Sequence, residues 1–256
     1  MNLDPIELTI VALLGLAIGS FLNVVIHRLP RRESLVSPGS RCPSCGYALR
    51  AADNIPIVSY VLLRGRCRKC GARISPRYPA VELVTAVVFV LHYTVFGWTP
   101  LLAVRLLFSA ALVALFVIDL EHKLLPDAIT LPGIAVGLVA SVFLPPGLRD
   151  ALIGMIGGGG VLWLIGEAYY RYAGEEGMGG GDVKMLAMIG AFLGWQLVLV
   201  TLVFSSIAGA VIGLVVIALR RGDMKYALPY GTFLSIAGVI SSLYGDQIFR
   251  WYTGFY

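Results

Sequence analysis

The sequence predicts an all-α polytopic membrane protein with one small polar domain after its first helix. Three observations carry that prediction. Apolar residues make up 58% of the 256-residue chain and charged ones only 14%, against roughly 25% charged in a soluble domain. Long apolar runs recur along most of the chain, and the mean hydropathy is +0.83. The one long polar stretch, 27–79, holds all four cysteines and 11 of the 20 Lys and Arg residues.

A hydrocarbon core about 30 Å thick is crossed by roughly 20 helical residues. On that measure eight transmembrane helices are expected, near 6–26, 80–97, 100–118, 128–145, 151–170, 183–195, 197–219 and 228–246. The first, "IELTIVALLGLAIGSFLNVVI", has no basic segment before it and no A-x-A cleavage site, so it reads as a retained helix rather than a signal peptide. Gly97-Trp98-Thr99-Pro100, Pro145-Pro146-Gly147 and Arg220-Arg221-Gly222-Asp223 are turns between spans. The sixth span is short, and its boundary with the seventh is soft. Small residues four apart, Gly15 with Gly19 and Gly154 with Gly158, suit close helix packing in lipid. The cluster Gly157–Gly160 should let the fifth span bend or be approached closely. The chain thus divides into a first helix (1–26), a cysteine loop domain (27–79) and a seven-helix core (80–256).

The net charge of +5 suggests nucleic acid, but its distribution follows the positive-inside rule instead. Segment 27–79 is expected on the cytoplasmic side, with 119–127, 171–182 and 220–227 on the same face. Arg149 is the lone basic residue of the outer turns.

The cysteines form two similar decapeptides, "RCPSCGYALR" and "RCRKCGARIS". Each is C-x2-C followed by glycine, and 21 residues separate Cys45 from Cys67. Four thiolates at this spacing can surround one tetrahedral Zn²⁺. Two disulfides are the alternative, disfavoured in a reducing compartment. Cys42, Cys45, Cys67 and Cys70 would leave the metal no open position, so its role would be structural. A loop of about 50 residues has little core of its own, and a metal would supply the missing stability.

Among the acids, Asp119 ends an apolar run without a polar spacer, and Asp182 follows a glycine loop, "GMGGGDVK". A lone carboxylate at a membrane boundary usually caps a helix or sits in solvent. The topology, however, places these two at one depth and on one face. Two carboxylates in a low-dielectric site share a proton, giving the acid and the base that peptide hydrolysis by water requires. Helix dipoles suggest that Asp182, at a helix N-terminus, starts as the base and Asp119 carries the proton. The three histidines are scattered and build no rival triad. The glycine loop lacks the phosphate-binding frame and no strand precedes it; its glycines better suit an extended peptide lying against the backbone.

These residues resemble the bacterial type IV prepilin peptidases, membrane aspartyl proteases of the GxGD type. The resemblance rests on "GLAIGSFLNVVIHRLP", the four-cysteine loop, "NIPIVSY", "RYPAVEL", "IDLEHKLLPD" and "GMGGGDVK", in that order over nearly the whole chain. It implies an eight-helix enzyme of the bacterial inner membrane, working at the cytoplasmic face. Its substrates would be type IV prepilins and pseudopilins of type II secretion, cut between a basic leader and an apolar helix. The resemblance maps the catalytic pair onto Asp119 and Asp182, with Gly179, Gly181 and Lys184 supporting loop and substrate, and Asp127 as a non-catalytic neighbour. Members with the cysteine loop often also N-methylate the new amino terminus with S-adenosylmethionine. No segment reads by itself as a methyl-donor site. Asn23, Arg77, Tyr78 and Glu82 are candidates from the family-like motifs, and could equally be structural anchors. Glu121, Glu175 and Glu176 could attract a basic leader or be ordinary loop charges. Two other readings compete: a transporter relaying protons through the acids, and a methyltransferase whose aspartates are only structural.

Overall fold

The computed structural model describes residues 4–175, 178–219 and 229–254. The expected turn at 220–223, the first residue of the last expected span and Glu176 lie outside the described residues. Among these, regular structure is helical apart from two isolated β-bridges. The helices are α1 (Pro5–Arg28), α2 (Val58–Leu62), α3 (Arg77–Phe96), α4 (Pro100–His122), α5 (Asp127–Phe143), α6 (Leu148–Ala173), α7 (Gly180–Leu219) and α8 (Tyr230–Thr253). Among the described residues, five segments are long and apolar enough to cross a membrane: Pro5–Arg31, Arg77–Phe96, Pro100–His122, Leu148–Ala173 and Gly180–Leu219. Helix α5 is apolar but shorter. The all-α, polytopic expectation is met.

Helix ends follow local chemistry. Asp4 accepts the Ile6 N–H at 2.9 Å, and Pro5 opens α1 with a preset φ. Helix α3 stops at Gly97, whose φ of 57° with ψ of −165° is a combination that essentially only glycine adopts. Helix α4 is halted by Lys123 at φ 51°, its N–H bonded to the Asp119 carbonyl at 2.8 Å.

The chain forms two compact units, Met1–Leu102 and Ala103–Tyr256. In the first, α1 lies against α3 with backbones nearly touching. A methyl group on Gly15 would come within 2.5 Å of the Ala86 Cα, and one on Gly19 within 2.7 Å of the Glu82 Cα. The expected small-residue seam is therefore the packing surface, and it buries Glu82.

In the second unit, Phe108, Leu112, Leu115, Met185, Leu186, Ile189 and Leu234 form a core with no more than trace exposure. Helix α7 spans 40 residues but is broken at Gly194, with φ 79° and ψ 172°. Its neighbours on α8 reveal a reversal. Ile189 meets Gly238, and Leu197 meets Gly245. Then Thr201 bonds Ser241 at 2.9 Å, and Gly209 lies by Phe233. The partner numbers climb and then fall, so the two arms of α7 run in opposite directions. Sequence placed this boundary at 195–197, one residue late. Gly194 packs on Pro146 of the preceding turn. Of the glycine cluster in α6, Gly158 and Gly159 are closely approached by α7, whereas Gly157 and Gly160 face open space.

Candidate active site and cysteine centre

Asp119, in the last turn of α4, is 5% exposed. Its Oδ2 accepts the backbone N–H of Thr232 at 2.9 Å, in the first turn of α8. The contact exists because residue 231 is glycine: a methyl there would lie 2.9 Å from that oxygen and 2.9 Å from both Leu125 methyls. Leu125 also packs on Gly181, where a methyl would meet its Cβ at 2.9 Å. One leucine thus gathers the starts of α7 and α8 around the end of α4.

Asp182 is the third residue of α7 and half-buried. Its carboxylate accepts the Gly179 N–H, a helix-capping bond, and lies within electrostatic range of Asp119. Lys184, one turn into α7, pairs with Asp127 at 2.6 Å and so ties α7 to the start of α5. Both acids therefore face a helix N-terminus. The dipole argument made from each acid's own helix no longer separates their roles, since Asp119 meets α8 as well as the end of α4.

Gly231 and Thr232 escaped the sequence reading. The available signal was "PYGT", a proline and a glycine at the opening of the last apolar span.

In the first unit the two cysteine decapeptides fold alike. Cys42 N–H bonds Tyr47 O and Gly46 N–H bonds Cys42 O; 25 residues on, Cys67 N–H bonds Ala72 O and Gly71 N–H bonds Cys67 O. The β-bridges Arg41–Ala48 and Arg66–Arg73 repeat at the same offset. Gly46 and Gly71 hold φ of 68° and 71°, the left-handed turn each knuckle needs. The four cysteines are free thiols, and their sulfurs lie within 4.8 Å of one another. Cys42 and Cys70 Sγ are 3.9 Å apart, close to the ~3.8 Å edge of a tetrahedron with Zn–S bonds of about 2.3 Å. The N–H groups of Cys70 and Lys69 point at Cys67 and lower its thiol to about 6. The donor set fits a metal ion. Nearby, Arg68 donates to Asp53 at 2.8 Å and holds that buried carboxyl below its usual range.

Asn23, Arg77, Tyr78 and Glu82 are brought together: all four line one cavity of about 730 Å³ bounded by α1, α3 and the knuckles. Glu82 Oε2 accepts the Ile57 N–H at 2.7 Å. Ile57 adopts φ 58°, a costly conformation for a β-branched residue. Asn23 donates from Nδ2 to Tyr78 O at 3.0 Å and Gly19 O at 3.3 Å. Its Oδ1 is buried without a partner.

Fold and sequence together define a multi-pass membrane protein with an N-terminal cysteine domain. The profile of the type IV leader peptidase family matches residues 106–214, and that of the bacterial peptidase A24 N-terminal domain matches 13–96. Three similar proteins carry the name prepilin leader peptidase/N-methyltransferase. That of Pseudomonas aeruginosa is 43% identical over 95% of this chain and 92% of its own length. That of Aeromonas hydrophila is 44% identical over 95% and 93%, and that of Legionella pneumophila 38% over 96% and 94%. The chain belongs to the type IV leader peptidase family. No solved structure matches it.

Proposed function

We propose that this chain removes the basic leader from type IV prepilins and pseudopilins, and methylates the amino terminus so exposed. Cleavage uses Asp119 and Asp182 as a pair. One carboxylate takes a proton from water, whose oxygen attacks the scissile carbonyl carbon. The other carboxyl gives its proton to the departing amide nitrogen. The observation that carries this reading is the buried Asp119, oriented by the Thr232 N–H and close to Asp182. Such fixed donors hold a carboxylate in register without reorganisation during the reaction. Gly179 and Gly181 lead into Asp182, and the Lys184–Asp127 pair steadies the helix that presents it.

The site works at the cytoplasmic face of the bacterial inner membrane, on the side of the basic segment 27–79. A prepilin places its scissile bond there, between a basic leader and an apolar helix lodged in the bilayer. Cys42, Cys45, Cys67 and Cys70 hold a structural Zn²⁺ that ties the two knuckles together. S-adenosylmethionine supplies the methyl group.

Purified enzyme incubated with a prepilin provides the test. Asp119→Asn and Asp182→Asn should each lower cleavage by about three orders of magnitude or more, as loss of an acid–base partner does. Cleavage retained in both variants would sink the dyad.

A further inference from the structure

We propose that the cavity bounded by α1, α3 and the cysteine knuckles is the S-adenosylmethionine site, with Glu82 and Asn23 binding the α-ammonium of the donor. This rests on the methyl-transfer reading above and gives it a location.

Two buried acceptors, Asn23 and Glu82, stand among the basic residues that line the cavity. Asn23 is 3% exposed and its Oδ1 has no partner. Glu82 is 8% exposed, and its Oε2 is held by the N–H of a strained residue, Ile57. Strain of this kind persists where surrounding structure over-determines it, and such places cluster at ligand sites. A buried amide oxygen left without a donor costs about 1–3 kcal/mol. An ammonium group would satisfy it and the carboxylate together. One carboxylate and one amide oxygen are too few ligands to cage a divalent cation.

The walls complete the match. Tyr60 and Tyr78 line the cavity, and with the Arg77 guanidinium stacked over Tyr78 they supply planar surfaces for a purine. Arg41 and Arg73 are among the arginines that line it, where a carboxylate can be met. The volume, about 730 Å³, lies within the ~300–1,000 Å³ typical of small-molecule sites. A zwitterion bearing a purine and a sulfonium meets all four features. Cys42 and Cys67 line the same cavity, so the metal knuckles form part of its wall.

Equilibrium binding to the full-length, zinc-loaded enzyme in detergent tests the placement, using S-adenosylmethionine, S-adenosylhomocysteine and methylthioadenosine. Glu82→Gln and Asn23→Leu should weaken both amino-acid-bearing ligands by about tenfold to a hundredfold. Methylthioadenosine, which has no ammonium, should bind the Glu82→Gln enzyme as it binds the wild type. Prepilin cleavage should persist in both variants, which shows that they fold. Unchanged donor affinity in cleavage-competent variants overturns the cavity assignment alone. A wild-type enzyme that cleaves but binds no donor overturns the assignment together with the methyl-transfer reading.

Discussion

Gly231 shows how a residue without a side chain can govern the placement of a buried carboxylate. Its bare Cα leaves room for Asp119 to reach the Thr232 N–H at 2.9 Å. A hydrogen bond to a charged partner contributes about 1.5–3 kcal/mol. Gly231→Ala should therefore lower cleavage by about tenfold to a hundredfold, with helix content by circular dichroism unchanged. The matching control is Gly180→Ala, where a methyl meets open space; it should leave cleavage within about twofold. Asp119 and Asp182 were legible in the sequence because a charge hard against an apolar run is costly and so conspicuous. Gly231 was not, because its significance lies in a contact with a residue 112 positions earlier. Asn23 and Glu82 were visible as polar residues in motifs, but their shared cavity depends on how closely α1 and α3 approach.

At the scale of elements, the α1–α3 seam and the cysteine knuckles make separate predictions. Gly15→Ala drives a methyl to 2.5 Å from the Ala86 Cα, and overpacking of this kind costs about 1–3 kcal/mol. Thermal unfolding of the detergent-solubilised protein should show a lowered midpoint. Gly157→Ala, facing open space in α6, should not lower it. For the knuckles, zinc binding must expel thiol protons. Cys67 ionises at about 6, so above that pH it binds metal without releasing a proton, and below it one proton must leave. Cys70, raised to about 11, releases its proton throughout the neutral range. Calorimetry in buffers of different ionisation enthalpy should show proton release per zinc rising by about one as pH falls through 6. An unchanged proton count across that window would argue against Cys67 as a ligand. The knuckles were legible because metal geometry fixes C-x2-C-G spacing locally. The α7 break was only approximately so: Gly194 sits in an apolar stretch where hydropathy barely changes, and its positive φ is set by packing on Pro146.

At the scale of the whole molecule, the chain divides its chemistry between two units. The cysteine knuckles and the cavity lie within Met1–Leu102, and the two acids within Ala103–Tyr256. Stripping zinc with a chelator should abolish methylation of a pre-cleaved pilin while leaving most prepilin cleavage, read by mobility shift and methyl incorporation in parallel. Equal loss of both would show that the metal supports the peptidase as well. Hydropathy announced the class of protein, and motif order announced the family. Neither reported that the α1–α3 pair groups with the cysteine loop, since that grouping depends on contacts between residues far apart in sequence. The reversal at Gly194 carries a last consequence. A straight helix of 40 residues would measure about 60 Å, twice the hydrocarbon core. Folding it back makes the parity of the later chain depend on one dihedral angle. With the turn, the second arm of α7 runs back towards the end of the bundle where Asp119 meets the Thr232 amide; without it, that arm would run on towards the opposite end. The sidedness of the Asp119 carboxylate's hydrogen-bond donor is thus decided at a residue that never approaches it.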